Sequence, residues 1–255
     1  MVANNTRDVA DLAAIRCAYD RLVTACAQRS WENDPEDKAI PETIQAMQIA
    51  MHVPKNDPPA STDILAATAK AVLAVCLDPR AGTDSAYAQA LDMWYRHRIR
   101  KVARRARNSA WDNVQPLSGV TATHNEAQAR AFVPSAVHRI PAELKKLQIR
   151  GTDLALASIA PIDTSCPALI VDRGLGMTAG KTAAQVGHAS MLLAAQMSWN
   201  DVYAWVQQDF FLNVYELDTA DFHTYVQRTD AVVVRDAGFT EVAPNSATVC
   251  AIAYP

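Results

Sequence analysis

No uninterrupted apolar run of about eighteen residues or more occurs in this sequence, which excludes an ordinary membrane-spanning helix. The opening, MVANNTRDVADLAA, lacks a basic flank and an apolar signal core, so the chain is expected to stay in the cytoplasm. Cysteine is sparse. Cys17, Cys26, Cys76, Cys166 and Cys250 are odd in number and form no CxxC pair, which argues for reduced thiols rather than a disulfide framework or a zinc site. No His, Asp or Glu cluster has metal-ligand spacing either, so neither a metal nor a cofactor is expected. What the chain does have is length for a real core, 255 residues, of which 50% are apolar.

The formal net charge is only -3, but it is unevenly spread. Residues 161–255 hold four cations against ten acids, and the remaining residues carry a net +3. Arg96 to Arg107 contains seven Lys or Arg in twelve residues and no acid. Hydrophobic spacing predicts helices over 8–28, 63–77 and a long 85–111, with a strand at Met47, Ile49, Met51 and Val53 between the first two. Short strands near 120–123 and 129–133 and a short helix at 141–147 complete the first part. On the long helix, Arg96, Arg100, Arg104 and Arg107 form one track, with Lys101 and Arg105 beside it. Such a track suits a phosphate backbone.

The stretch from Asp153 to Pro167 has prolines, small polar residues and no periodicity, which places a boundary there, giving units of 1–160 and 161–255. Beyond it the pattern is α/β: a strand at 168–171, helices at 182–197, 202–208 and 222–228, and strands at 211–217, 231–234 and 248–253. No repeat is visible in the residues. Both halves nevertheless offer strand, two helices, then strands, the order that a decayed duplication would leave.

After the strand at 168–171 comes DRGLGMTAGKTAAQVGHAS. It is not a P-loop: Gly176 is one residue too close to Gly180-Lys181-Thr182, and Gly174 one too far. Met177 to Ala189, MTAGKTAAQVGHA, resembles the opening helix of archaeal and eukaryotic-type peptidyl-tRNA hydrolases, approximately M-G-K-G-K-x-A-A-Q-x-S-H-A. Asp236 to Ile252, DAGFTEVAPNSATVCAI, resembles that family's second signature, approximately D-A-G-R-T-Q-I-A-P-G-x-x-T-V-L-x-I. The two matches come in the right order, each beside a strand, and span roughly the last third of the chain. The basic run and the later LKKLQIRGTDL look like the region fused to this domain in actinobacterial relatives. The sequence departs from the pattern at Asp172, Ala179, Gly187, Phe239 and Glu241, mostly by losing positive charge.

Lys181, Gln185 and His188 fall at i, i+4 and i+7, on one helical face. A lysine in a first turn is disfavoured by the helix dipole, so an anion is its natural partner. Asp236, at the end of a Val-rich strand, is placed to orient or deprotonate water, and Thr240 and Thr248 to fix water or ribose hydroxyls. Each has a plainer reading: Asp236 as a turn residue, the threonines as strand residues, and His188, beside Ala189 and Leu192, as a packing histidine.

The resemblance implies a small mixed four-stranded sheet in a three-layer α/β domain, preceded here by a helix-rich α/β unit. It implies hydrolysis of the peptide–tRNA ester by activated water, with tRNA as partner and a possible homodimer. A non-catalytic RNA-binding protein with a decayed site, or an aminoacyl-tRNA deacylase, are the alternatives. Retention of Lys181, Gln185, Asp236 and Thr240 together favours the enzyme.

Overall fold

The computed structural model describes residues 2–28, 34–152, 154, 161–238 and 241–254. The first part runs α1 (Val2–Ala27), β1 (Gln45–His52), α2 (Ser61–Cys76), α3 (Ala86–Tyr95), β2 (Lys101–Ala106), α4 (Ser109–Asp112), β3 (Gly119–His124), β4 (Ala127–Phe132), β5 (Ser135–Ala136) and α5 (Ala142–Lys145). The second runs β6 (Ala168–Asp172), α6 (Ala179–Gln196), α7 (Trp199–Gln207), β7 (Asn213–Leu217), α8 (Thr219–Val226), β8 (Val232–Arg235) and β9 (Ala247–Ile252). The architecture is mixed α/β, as the sequence suggests. The boundary expected at 153–167 crosses residues 153 and 155–160, which lie outside those described. No described helix is long and apolar enough to cross a membrane.

Each part builds one sheet. The first has order β2-β1-β4-β3, with β5 added on β1; the second has order β7-β6-β9-β8. In both, the first two strands pair in parallel and the other ladders are antiparallel. The element sequence β-α-α-β-α-β-β and the strand order coincide, so the second half repeats the topology of the first. In the second half, α6 packs on the sheet face carrying Leu169 and Val171, and Phe222 of α8 packs on the opposite face with Ala168 and Ile170. That makes three layers.

The two halves meet helix to helix. α2, STDILAATAKAVLAVC, is apolar nearly all round, the pattern of a helix covered on both sides. One side lies on β3 and β4 and the other on α6. Its one lysine, Lys70, is buried with its ammonium on the Thr123 carbonyl (2.7 Å) and Asp209 (3.0 Å). Ser190 Oγ of α6 donates to the Ala69 carbonyl of α2 at 3.1 Å, and Gly187 of α6 faces Val72. If Asp63 is matched to Lys181, Ala69 matches Gly187 and Val72 matches Ser190. The two contacts are then one contact made twice, as a local two-fold relation requires. Tyr19 of α1 closes the side, its hydroxyl donating to the Met197 carbonyl at 2.7 Å.

One expected element is corrected. The long helix over 85–111 ends at Tyr95, and 101–106 is a strand, β2, pairing Lys101–Ala106 with Met47–His52. Between them Ile99 takes φ +49°, which no helix accommodates. The physical reason lies in the charge. A helix would stack the cations at i, i+4 in mutual repulsion, whereas the strand turns them to alternate faces where partners wait. Arg100 makes a two-pronged pair with Glu36 (2.7 and 2.8 Å), and buried Arg104 bonds Gln48 Oε1 (2.9 Å) and the Leu147 carbonyl (3.3 Å). The helical track of arginines therefore does not form.

Candidate active site

The site is assembled at the start of α6 and the end of β8. Thr178 caps α6, its hydroxyl accepting from the Lys181 backbone N–H at 3.3 Å. Glu241 holds the cap in turn: its two oxygens accept from the Thr178 N–H (2.8 Å) and hydroxyl (2.9 Å). A carboxylate at a helix N-terminus opposes the unfavourable end charge felt by the lysine in that turn. Glu241 thus has a local task where the family pattern has glutamine.

Asp236 follows β8 and enters a turn. Its backbone N–H donates to the Ser246 carbonyl (2.9 Å) and its carbonyl accepts from Asn245 N–H (2.7 Å), so the start of β9 fixes its position. Oδ1 accepts from the Gly238 N–H at 2.8 Å. Gly238 has φ +77°, and a Cβ there would lie 2.5 Å from Pro244 Cγ, so only glycine fits this turn. Oδ2 faces α6, where it accepts from Gln185 Nε2 at 2.6 Å and pairs with the Lys181 ammonium. Burial alone would raise the Asp236 carboxyl; the Lys181 bond, the Gly238 N–H and Gln185 outweigh it and hold the group below the ordinary carboxylate value. Asp236 is therefore both a turn residue and a site residue, one oxygen for each.

The other candidates are placed differently. Thr240 lies outside the described residues. Thr248 is fully buried and its hydroxyl donates to the Val234 carbonyl at 3.2 Å, within the sheet. His188 looks away from Asp236 toward the first half, its Nδ1 3.1 Å from Lys101 Nζ. Burial, and then the neighbouring Lys101, hold the His188 imidazole well below its ordinary value, which favours the neutral ring. Burial likewise pulls the Lys101 ammonium down to about 8. Of the six basic residues expected to track phosphates, Arg96 is exposed, Arg105 and Arg107 are half-buried, and Lys101, Arg100 and Arg104 are engaged inside the protein.

Sequence reasoning missed several residues. Glu241 shows no local signal, because its partner Thr178 is 63 residues away. Asp172, which replaces a basic residue of the family pattern, is buried and accepts from Gly174 N–H (2.9 Å) and Thr219 Oγ1 (2.8 Å), joining β6 to α8. Beyond it opens a cleft of ≈ 380 Å³ lined by Asp172, Leu175, Thr219, His223 and Arg235 among others. In the first half Asp34, Glu36 and His97 lie within 4.8 Å of one another, a possible ligand set. Arg98 and Arg100 already occupy those carboxylates (2.8 and 2.7 Å), so a cation would have to displace two guanidinium groups, and the cluster serves as an ion-pair network.

The position of the site in the first half is equally informative. Asn125 follows β3 as Asp236 follows β8, and its Nδ2 donates to Asp63 Oδ1 at 3.0 Å. The matching contact is thus present, but aspartate stands in the lysine position and asparagine in the aspartate position, with Ala67 where Gln185 would be. At this matched position the second half has a cation–carboxylate pair and the first half has an amide–carboxylate hydrogen bond.

Residues 166–255 match the family model described as peptidyl-tRNA hydrolase PTH2. The match covers the second sheet, its helices and the Lys181–Gln185–Asp236 constellation, and agrees with the resemblance of the two signatures. No curated protein and no solved structure matches the chain. The matched segment is similar to the PTH2 family, whose description is that of a peptidyl-tRNA hydrolase.

Proposed function

We propose that this protein hydrolyses the ester between a peptide and the 3′ end of tRNA, using the site on α6 and β8. The observation that supports it is the convergence of Lys181, Gln185 and Asp236 from two separate signatures onto one carboxylate oxygen, inside the PTH2-matching segment. In this reading Asp236, kept ionised by its partners, takes or orients a proton of the attacking water. The water oxygen adds to the ester carbonyl, and the ammonium of Lys181 stabilises the oxygen that gains negative charge. Collapse breaks the bond to the ribose oxygen, which leaves with the proton, and the peptide departs as a carboxylic acid. No covalent enzyme intermediate is needed. Gln185 holds Oδ2 in line and is a positioning residue.

The test is release of an N-blocked amino acid from N-blocked aminoacyl-tRNA by wild type, Lys181→Ala and Asp236→Asn. We expect turnover by wild type and a fall of about 10²-fold or more in kcat for each variant, the usual cost of a lost oxyanion partner or general base. Turnover unchanged by both substitutions would overturn the site. Binding of tRNA with no release by wild type would favour an RNA-binding protein instead. Comparing blocked with unblocked aminoacyl-tRNA separates a peptidyl-tRNA hydrolase from a deacylase.

A further inference from the structure

The first half has Asp63 and Asn125 where the second has Lys181 and Asp236, yet it carries the positive charge of the chain, and part of that charge lies on a loop that passes the active helix. β2 is an edge strand of the first sheet, and a loop rides along its outer side: the Arg105 N–H donates to the Gln148 carbonyl (2.8 Å), its guanidinium to the Gly151 carbonyl (3.0 Å) and to Gln148 Oε1. The same loop lies against the first turn of α6. A Cβ on Gly180 would be 3.5 Å from the Ile149 carbonyl oxygen and 3.7 Å from that of Ala103. Gly180 adjoins Lys181. The loop backbone therefore runs past the residue next to the site lysine.

Leu144 and Leu147 anchor this segment in a core with Ala106, Trp111 and Phe132, which turns the residues between them outward. Lys145, Lys146, Ile149 and Arg150 are exposed. From 144 to 152 there is no acidic residue; the flanking acids in the sequence are Glu143 and Asp153. Lys146 is three residues from Ile149, hence within about 11 Å of the α6 contact along the chain, and Arg150 is adjacent to it. Three cations with no acid among them, on a loop anchored by two buried leucines and passing Gly180 at Ile149, stand against a second half with a net charge of −6.

We propose that Lys145, Lys146 and Arg150 form the docking surface for the phosphate backbone of tRNA next to the ester. The choice of RNA rests on the peptidyl-tRNA reading; the surface itself rests on the placement of the loop. Arg105 is a positioning residue that ties the loop to β2. Phosphate contacts of this kind set affinity and orientation without reading bases, and they release counterions, so binding weakens steeply with salt.

The experiment measures binding of deacylated tRNA to the full chain across a salt series, for wild type, the triple variant Lys145→Gln/Lys146→Gln/Arg150→Gln, the single reversal Arg150→Glu, and a control, Lys38→Gln. Deacylated tRNA has no ester, so the result does not depend on hydrolysis. We expect at least a ten-fold loss of affinity for the triple variant near 0.1 M salt and a log–log salt slope shallower by about 2 to 3, given roughly 0.7 to 0.9 per phosphate contact. Arg150→Glu should weaken binding in the same direction, and Lys38→Gln should not. In the hydrolysis assay the triple variant should raise KM and leave kcat within two-fold. Unchanged affinity and slope in the triple variant, or equal losses in the control, would overturn the surface while leaving the hydrolase intact. Patch-dependent binding without any hydrolysis would support the surface and sink the catalytic reading. Absence of tRNA binding by wild type overturns the surface.

Discussion

Asp236 divides its two oxygens between a turn and a helix, which couples local folding to chemistry at one residue. Because its folded pKa lies below the unfolded value, its stabilising contribution is present above about pH 4 and is lost as pH falls through the folded value. Thermal melts between pH 5 and 3 should therefore show a smaller drop in Tm for Asp236→Asn than for wild type; parallel curves would mean that the pairing with Lys181 and Gln185 does not bear on stability. Lys181, Gln185 and Asp236 were legible in the sequence because helical spacing puts the first two on one face and the second signature places the third at a strand end. Lys101 and His188 were not. Both are charge-capable residues in polar-looking contexts, and only the packing of one half on the other shows that they face each other where burial disfavours the charged form of each.

At the scale of elements, periodicity located most helices and strands but failed over 96–107, where a pattern compatible with a period of 3.6 also satisfies a period of two. Partner acids at Asp34 and Glu36, more than sixty residues away, decide between the two, and no local window contains them. The packing of α2 on α6 accounts for Gly187, a departure from the serine of the family pattern. A Cβ there would lie 2.9 Å from Val72 Cγ2 and 3.5 Å from Lys101 Cδ. Gly187→Ser should destabilise the protein by about 1 to 3 kcal/mol through overpacking. In urea melts, Val72→Ala should relieve part of that cost, so that the double variant is more stable than the sum of the singles by about 0.5 kcal/mol or more. Additive losses would mean that the strain is elsewhere.

Over the whole molecule, the repeat of one topology in two halves was visible only as an order of elements, because the residues at matched positions differ, down to Asp63–Asn125 where the second half has Lys181–Asp236. The main apolar cluster draws on both halves, including Val72 and Leu73 from the first and Val186 and Leu193 from the second. Full burial of each such side chain is worth roughly 1.5 to 3 kcal/mol. A fragment of residues 161–255 would lose α1 and α2 from the face of α6, and we expect it to self-associate or precipitate in size-exclusion chromatography with light scattering. A folded, monomeric fragment would contradict the shared core.

The contact between α2 and α6 joins two copies of one topology through a covalent chain rather than through an encounter. Its effective concentration is fixed by the linker and does not fall with dilution. The support that α6 receives from the first half is therefore the same in a nanomolar assay as in a crowded cell, and each molecule brings one Lys181–Gln185–Asp236 constellation for the two sheets it must fold.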